Sequence, residues 1–320
     1  MKLQTNIPLK PSDNPIDYKS QLLILGSCFA ENIGSKLDYF KFQCLQNPFG
    51  ILFHPLAIEQ LITRSIEKNR FSEEDIFFLN ERWHCFDAHS DLSDVSKEKL
   101  LKKLNKGLEI TNQQIIRSTH IVITLGTAWI YKNKKTNTFV ANCHKVPQKE
   151  FSKELLSVDA ITKSLEKVIT QIQAVNQGVQ FIFTISPVRH LKDGFIENQR
   201  SKAHLISALN LVINTSNLAL RISYFESYEL MMDELRDYRF YEANMVHPNQ
   251  IAIDYIWEKF KEVWISPQAY AITEKVTFIQ KGLQHRPFNA SSEKHQLFLK
   301  SLEEKITYLQ EAYPFMKFDK

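Results

Sequence analysis

The sequence predicts an α/β fold: a three-layer, doubly wound sandwich around a mostly parallel sheet of roughly five strands. Three observations carry this. Short apolar runs recur along the chain, most clearly Gln21–Gly26 (QLLILG), His120–Leu125 (HIVITL) and Val179–Ile185 (VQFIFTI). They lack the alternation of a half-buried strand, as expected for strands covered on both faces. Stretches with helical spacing separate them, and the first run ends at Gly26 and leads straight into such a stretch, the strand–turn–helix unit that opens a doubly wound sheet.

In chain order, residues 1–20 read as an extended lead-in in which Pro8, Pro11 and Pro15 block helix. After the first strand, Ala30–Phe40 places Ile33, Leu37 and Phe40 on one side of a helix. Phe42–Leu45 is a candidate second strand and Leu56–Ile66 a helix. Ser96–Arg117 is a long amphipathic helix, with Leu100, Leu101, Leu104 and Leu108 on one face. Asp159–Val175 is helical, with Asp159 as candidate cap. Glu197–Thr215 is helical, Arg221–Phe225 a short strand and Gln250–Trp264 a helix. Ile76–His89 and Trp129–Cys143 read as β-rich insertions, the second turning at Lys132–Lys135, and both are candidates for a lid. The layout is therefore a lead-in (1–20), one α/β domain (21–270) and a C-terminal helical extension (271–320) with one clear helix at Glu293–Ala312.

Composition narrows the class. Apolar residues make up 43% and charged residues 24% of 320 residues, an ordinary globular balance. The net charge of +4 is spread along the chain. With no basic arm, zinc-finger spacing or RNA-binding signature, nothing points to a nucleic-acid partner. No run approaches the ~18 apolar residues of a membrane span. The polar, proline-bearing N-terminus lacks the apolar run of a signal peptide. Four cysteines (Cys28, Cys44, Cys85, Cys143) form no CxxC pair, and reduced thiols in a cytoplasmic protein are the expectation.

In an open α/β sheet, ligands bind beyond the carboxyl ends of the strands. The segments standing there are Gly26-Ser27-Cys28-Phe29-Ala30, Gly126-Thr127-Ala128-Trp129, Ser186-Pro187-Val188-Arg189-His190 and, before the last sheet-covering helix, Asn244-Met245-Val246-His247-Pro248. Cys28 follows a glycine turn at a helix start, where backbone N–H groups and the helix dipole favour a thiolate. His247, in a loop, is a candidate general base, and Asn244 a candidate to orient it by accepting the second ring N–H. Taken singly, Cys28 is as readily a packed thiol and His247 a solvated loop residue; the pairing carries the reading.

These residues carry a resemblance. Gly26-Ser27-Cys28-Phe29-Ala30 resembles the name-giving motif of the GSCFA family, which looks like a branch of the SGNH/GDSL hydrolase superfamily. Asn47-Pro-Phe-Gly50, Trp83-His-Cys-Phe-Asp-Ala-His89-Ser90, Leu125-Gly-Thr-Ala-Trp129, Asn142-Cys-His-Lys145, Ser186-Pro-Val-Arg-His190 and Met245-Val-His-Pro248 resemble further family segments, from about residue 20 to 290. The resemblance implies that Cys28 stands where the superfamily has its nucleophilic serine, and Ser27 where it has aspartate. It implies an oxyanion hole from Gly50 with Gly126 and Thr127, although Ala128 stands at the position where the superfamily has asparagine. The last block has Asn244 in place of aspartate, a change that suits a cysteine nucleophile, since a thiolate–imidazolium pair needs only orientation; Glu242 is the alternative orienter.

The implied function is that of an acyl-ester hydrolase or acyltransferase, without cofactor, acting on a small-molecule ester or acylated sugar. Ser27, Trp129, Tyr131, Ser186, Arg189 and His190 are candidate substrate contacts, though packing for the aromatics and an ion pair for Arg189 are the blander alternatives. Two rivals stay open: a binding module that kept the fold and lost the chemistry, and a metal site from His84, Cys85 and His89 with Cys143 and His144.

Overall fold

The computed structural model describes residues 4–215 and 221–318, so residues 1–3 of the lead-in lie outside it. β1 (Gln21–Gly26), β2 (Gln43–Gln46), β5 (His120–Leu125), β9 (Gln180–Ile185) and β10 (Ile222–Phe225) build the central sheet, and β3 (Ile76–Leu79), β4 (Arg82–Cys85), β6 (Trp129–Asn133), β7 (Thr138–Val140) and β8 (Phe151–Leu155) lie outside it. The order across the central sheet is β10-β9-β5-β1-β2, with every pair parallel. The predicted doubly wound α/β class is the observed one. The chain runs from β1 outward to β2 and then crosses back to β5 on the other side of β1. The switch point, where a ligand crevice opens, therefore lies at the carboxyl ends of β1 and β5.

Two apolar cores sandwich the sheet, because successive strand residues point to opposite faces. Leu23, Leu25, Ile121, Ile123, Phe181 and Phe183 face α2 (Pro55–Ile66), α3 (Lys97–Arg117), α4 (Val158–Val175) and α5 (Phe195–Thr215). Leu22, Ile24, Val122, Ile182 and Phe225 face α1 (Cys28–Tyr39), α7 (Gln250–Trp264), α8 (Pro267–Gln284) and α9 (Glu293–Ala312). Between β10 and α7, α6 (Ser227–Glu229) runs into a π-helical turn over Leu230–Leu235.

Several details differ from the sequence reading. Ser157 rather than Asp159 caps α4, its side chain accepting from the Ala160 N–H; Asp159 sits in the first turn. The C-terminal region holds α8 as well as α9. Ser266 caps α8 and Pro267 occupies its first turn, where a missing N–H costs nothing. The expected boundary at 270/271 thus falls inside a helix. β8 completes an antiparallel sheet, β7-β6-β8, with the predicted second insertion. The two insertions are tied to each other: the Ala141 N–H donates to the Phe86 carbonyl (2.8 Å), and His144 donates from Nε2 to the Cys85 carbonyl (2.7 Å).

Candidate functional site

Cys28 is the first residue of α1 and half-buried, directly after the glycine turn that closes β1. Gly26 has φ +132°, and a Cβ there would lie 2.1 Å from the Thr124 carbonyl, so only glycine lets the chain turn this close to β5. Asn47 clamps the same turn from β2: its Oδ1 accepts from the Gly26 N–H (2.9 Å) and its own N–H donates to the Ile24 carbonyl (2.9 Å). Its Nδ2 is buried without a partner.

Cys28 behaves differently from the expected low-pKa thiol. Burial raises its pKa, as does the Glu31 carboxylate one turn on; Lys202 and the N–H groups of Cys28 and Phe29 act in the opposite direction. The helix-start effect is present, but desolvation outweighs it.

Lys202, on α5, is a site residue that the sequence reading missed. Its side chain is fully buried, and Nζ donates to the carbonyls of Gly126 (2.7 Å) and Ser186 (2.6 Å), at the ends of β5 and β9. Desolvation pulls its pKa down to about 7, against the Cys28 charge. The available signal was its position: Asn198, Lys202, Leu205, Leu209 and Val212 share one buried stripe of α5, where a lysine is out of place.

His190 packs against Gly126; a Cβ on that glycine would lie 3.3 Å from its Nε2, which is buried without a partner. Burial, then Lys202, then His247 lower its pKa to about 3, so it is neutral. Its backbone N–H is held by Asn198 (2.8 Å). Charge interactions thus run from Cys28 at the start of α1 to Lys202 on α5, on to His190 and from there to His247 in its loop.

The exposed His247 is paired with Asn244, but with the opposite polarity to that expected. Asn244 Oδ1 accepts from the N–H groups of Val246 (2.8 Å) and His247 (3.0 Å), which leaves Nδ2 to donate to His247 Nδ1 (2.9 Å). Flipping the amide would set donor against donor. Nδ1 is therefore the acceptor, and the neutral ring carries its proton on Nε2. In this state His247 is a donor at Nε2 rather than a base. Glu242 closes the same loop through its backbone, its N–H donating to the His247 carbonyl and its carbonyl accepting from the Met245 N–H.

The amides expected to form an oxyanion hole are committed elsewhere. The Gly50 N–H closes a tight turn on the Asn47 carbonyl (2.7 Å). Gly50 is glycine because its φ is +69° and a Cβ would meet that of His89 at 2.4 Å. The N–H groups of Gly126 and Thr127 both donate to the Phe53 carbonyl (2.7 and 3.1 Å). The Thr127 hydroxyl is buried against Ser201 (3.0 Å) and accepts from the Trp129 N–H (3.1 Å). The N–H groups of Cys28 and Phe29 favour a negative charge on the sulfur, while the Phe29 N–H also donates to the Ser27 side chain (3.4 Å).

The candidate substrate contacts divide. Ser27 is buried as the N-cap of α1, its side chain accepting from Phe29 (3.4 Å). Ser186 is buried and takes the Val188 N–H on its hydroxyl (3.3 Å). Both hydroxyls are buried and engaged in these bonds. Arg189 holds the histidine loop: it donates to the Met245 carbonyl, and its guanidinium lies over Tyr241 (4.8 Å). Trp129 donates from Nε1 to the Glu197 carbonyl (3.1 Å) at the start of α5, and Lys153 covers its ring (4.6 Å). Tyr131 packs edge-on against Phe151 in the small sheet.

Among the described residues, no three His, Cys, Asp or Glu side chains come together to hold a metal. His84 bonds Ser93 (2.7 Å) and the Leu79 carbonyl (3.0 Å), and burial pushes the Cys85 thiol up, with Asp87 adding to it. An open groove of about 1280 Å³ lies between the 233–240 segment and α7, and its lining includes none of Cys28, His190, Lys202 or His247. No helix among the described residues is long and apolar enough to cross a membrane.

The fold and site define a doubly wound α/β protein with a half-buried cysteine at the sheet's switch point and a buried lysine beside it. The chain belongs to the GSCFA family, whose profile matches residues 21–260; a second profile, the C-terminal domain of GSCFA domain proteins, matches residues 276–320. No curated protein matches it.

Proposed function

We propose that the chain is an acyl-ester hydrolase or acyltransferase that works through Cys28, with an acylated sugar or similar small ester as substrate. The observation that carries this reading is the placement of Cys28: a half-buried thiol on the first turn of α1, at the switch point, directly after the tight Gly26 turn. In this reading Cys28 Sγ attacks the acyl carbon to give a thioester, which water or a second alcohol then cleaves. The Cys28 amide at the start of α1 takes the developing oxyanion, and His247 adds a donor at Nε2. The parallel strand order and the Gly-Ser-Cys turn after β1 also support membership of the SGNH/GDSL superfamily, with thiol for hydroxyl. The experiment is p-nitrophenol release from short-chain esters: a burst stoichiometric with enzyme, lost in Cys28→Ala, is expected.

A second reading has its own support. The committed amides of Gly50, Gly126 and Thr127 suit a site that holds a ligand without transforming it. Saturable ester or sugar binding with no burst would establish that alternative.

A further inference from the structure

We propose that the Lys202 amine is the base that takes the proton of the Cys28 thiol, so that Cys28 and Lys202 act as a dyad. The inference rests on the thiol reading above and reassigns the base that the sequence places at His247.

The geometry of Nζ is the starting point. A neutral amine has two N–H donors and one lone pair, and here two carbonyls, of Gly126 and Ser186, take two donors. An ammonium would bring a third N–H and a full charge into a buried site. No carboxylate within 4.0 Å pairs with Lys202 among the described residues. A buried charge without a counter-ion is unfavourable, so the amine is the satisfied form until an anion is generated beside it. Cys28 stands on the same sheet edge: Gly26, Thr124 and Thr184 pair in register, and Cys28, Gly126 and Ser186 each lie two residues further on, so the thiol follows the strand next to the two whose carbonyls hold Nζ.

The surroundings agree. Lys202 is faced by Cys28 from α1, by His190 from the loop after β9 and by the Tyr228 ring from α6, 5.8 Å away. Cys28 is faced in addition by Glu31, and His190 by His247. His190 is neutral, and His247 carries its proton on Nε2 and lies in the solvent-exposed loop. Lys202, with a pKa brought down to about 7, has a free lone pair in a useful range.

As Sγ bonds to the acyl carbon, the S–H proton passes to Nζ and the carbonyl π pair moves onto oxygen. When the tetrahedral species collapses, the C–O bond breaks and the ammonium returns that proton to the departing alkoxide. In the second half, the attacking water or alcohol gives its proton to the amine, and the thiolate recovers it on leaving.

The test needs no ester, so it fails or succeeds independently of the acyl chemistry. Cys28 is labelled with iodoacetamide from acid to alkaline pH and quantified by peptide mass spectrometry. Wild type is expected to show a rise in labelling near pH 7, and Lys202→Met to label roughly tenfold more slowly at neutral pH. A folded Lys202→Met that labels as wild type would overturn the dyad. Should that variant not fold, ¹³Cε NMR of lysine-labelled wild type decides: one lysine titrating near 7 supports the dyad, and none below roughly 9 overturns it.

Discussion

The side-chain nitrogen of Asn244 stands 2.9 Å from Nδ1 of His247, and because that nitrogen is only a donor, the imidazole proton is fixed on Nε2. A carboxylate at 244 would still accept the Val246 and His247 amides but could no longer donate to the ring. In Asn244→Asp the proton should move to Nδ1, leaving Nε2 bare. ¹⁵N chemical shifts of His247 in the two proteins read this directly; identical tautomers would contradict the bond as described.

Asn244 also ties two backbone amides of the loop. Asn244→Ala releases the ring and the loop together. Ester turnover is expected to fall about 10²-fold, the scale of a misplaced catalytic group, with little change in melting temperature because the loop is exposed.

Ser27 and Cys28 are neighbours with separable roles. Ser27→Ala removes the α1 cap and should cost about 1 kcal/mol by chemical denaturation while leaving an acyl adduct intact. Loss of the adduct in Ser27→Ala, with Cys28 present and the fold retained, would move the nucleophile to the serine.

The Asn47 side chain is the acceptor for the buried Gly26 N–H. Asn47→Ala strands that donor, and a loss of about 1–3 kcal/mol is expected in equilibrium unfolding. A neutral substitution would show that water or another group satisfies Gly26.

His54 sets an acid limit on stability. Fully buried, it donates from Nε2 to the Val140 carbonyl (3.1 Å) and accepts the Ala57 N–H on Nδ1 (3.1 Å), capping α2. Protonation would turn Nδ1 into a second donor facing Ala57. Desolvation accordingly lowers its pKa from 6.5 to about 4. Between those values the unfolded chain binds the proton and the folded chain does not, so stability falls as pH drops through that window, by up to about 3 kcal/mol. His54→Gln should flatten the dependence of melting temperature on pH between 6.5 and 4.

Much of this molecule was legible because its signals are local. β1, β5 and β9 are apolar throughout since both faces are covered, and the Gly26 turn announces the helix that follows. Cys28, His190 and His247 were legible as chemistry-bearing types at strand ends or in the loop before α7. α8 was harder: Thr273 sits in its buried stripe and Phe278 is exposed, which blurs its periodicity. Lys202 was missed because a helical lysine reads as solvated; only its alignment with Leu205 and Leu209 betrayed it. The occupied amides of Gly50, Gly126 and Thr127 depend on where the Asn47 and Phe53 carbonyls fall, which residue identities do not encode.

The most direct test of the central claim is intact-protein mass spectrometry after incubation with short-chain p-nitrophenyl esters, with wild type, Cys28→Ala and Ser27→Ala compared. A single acyl adduct in wild type and Ser27→Ala, absent from Cys28→Ala and mapped to the peptide containing Cys28, is the predicted result. An adduct that persists in Cys28→Ala, or none with any ester, would contradict a Cys28-centred acyl chemistry.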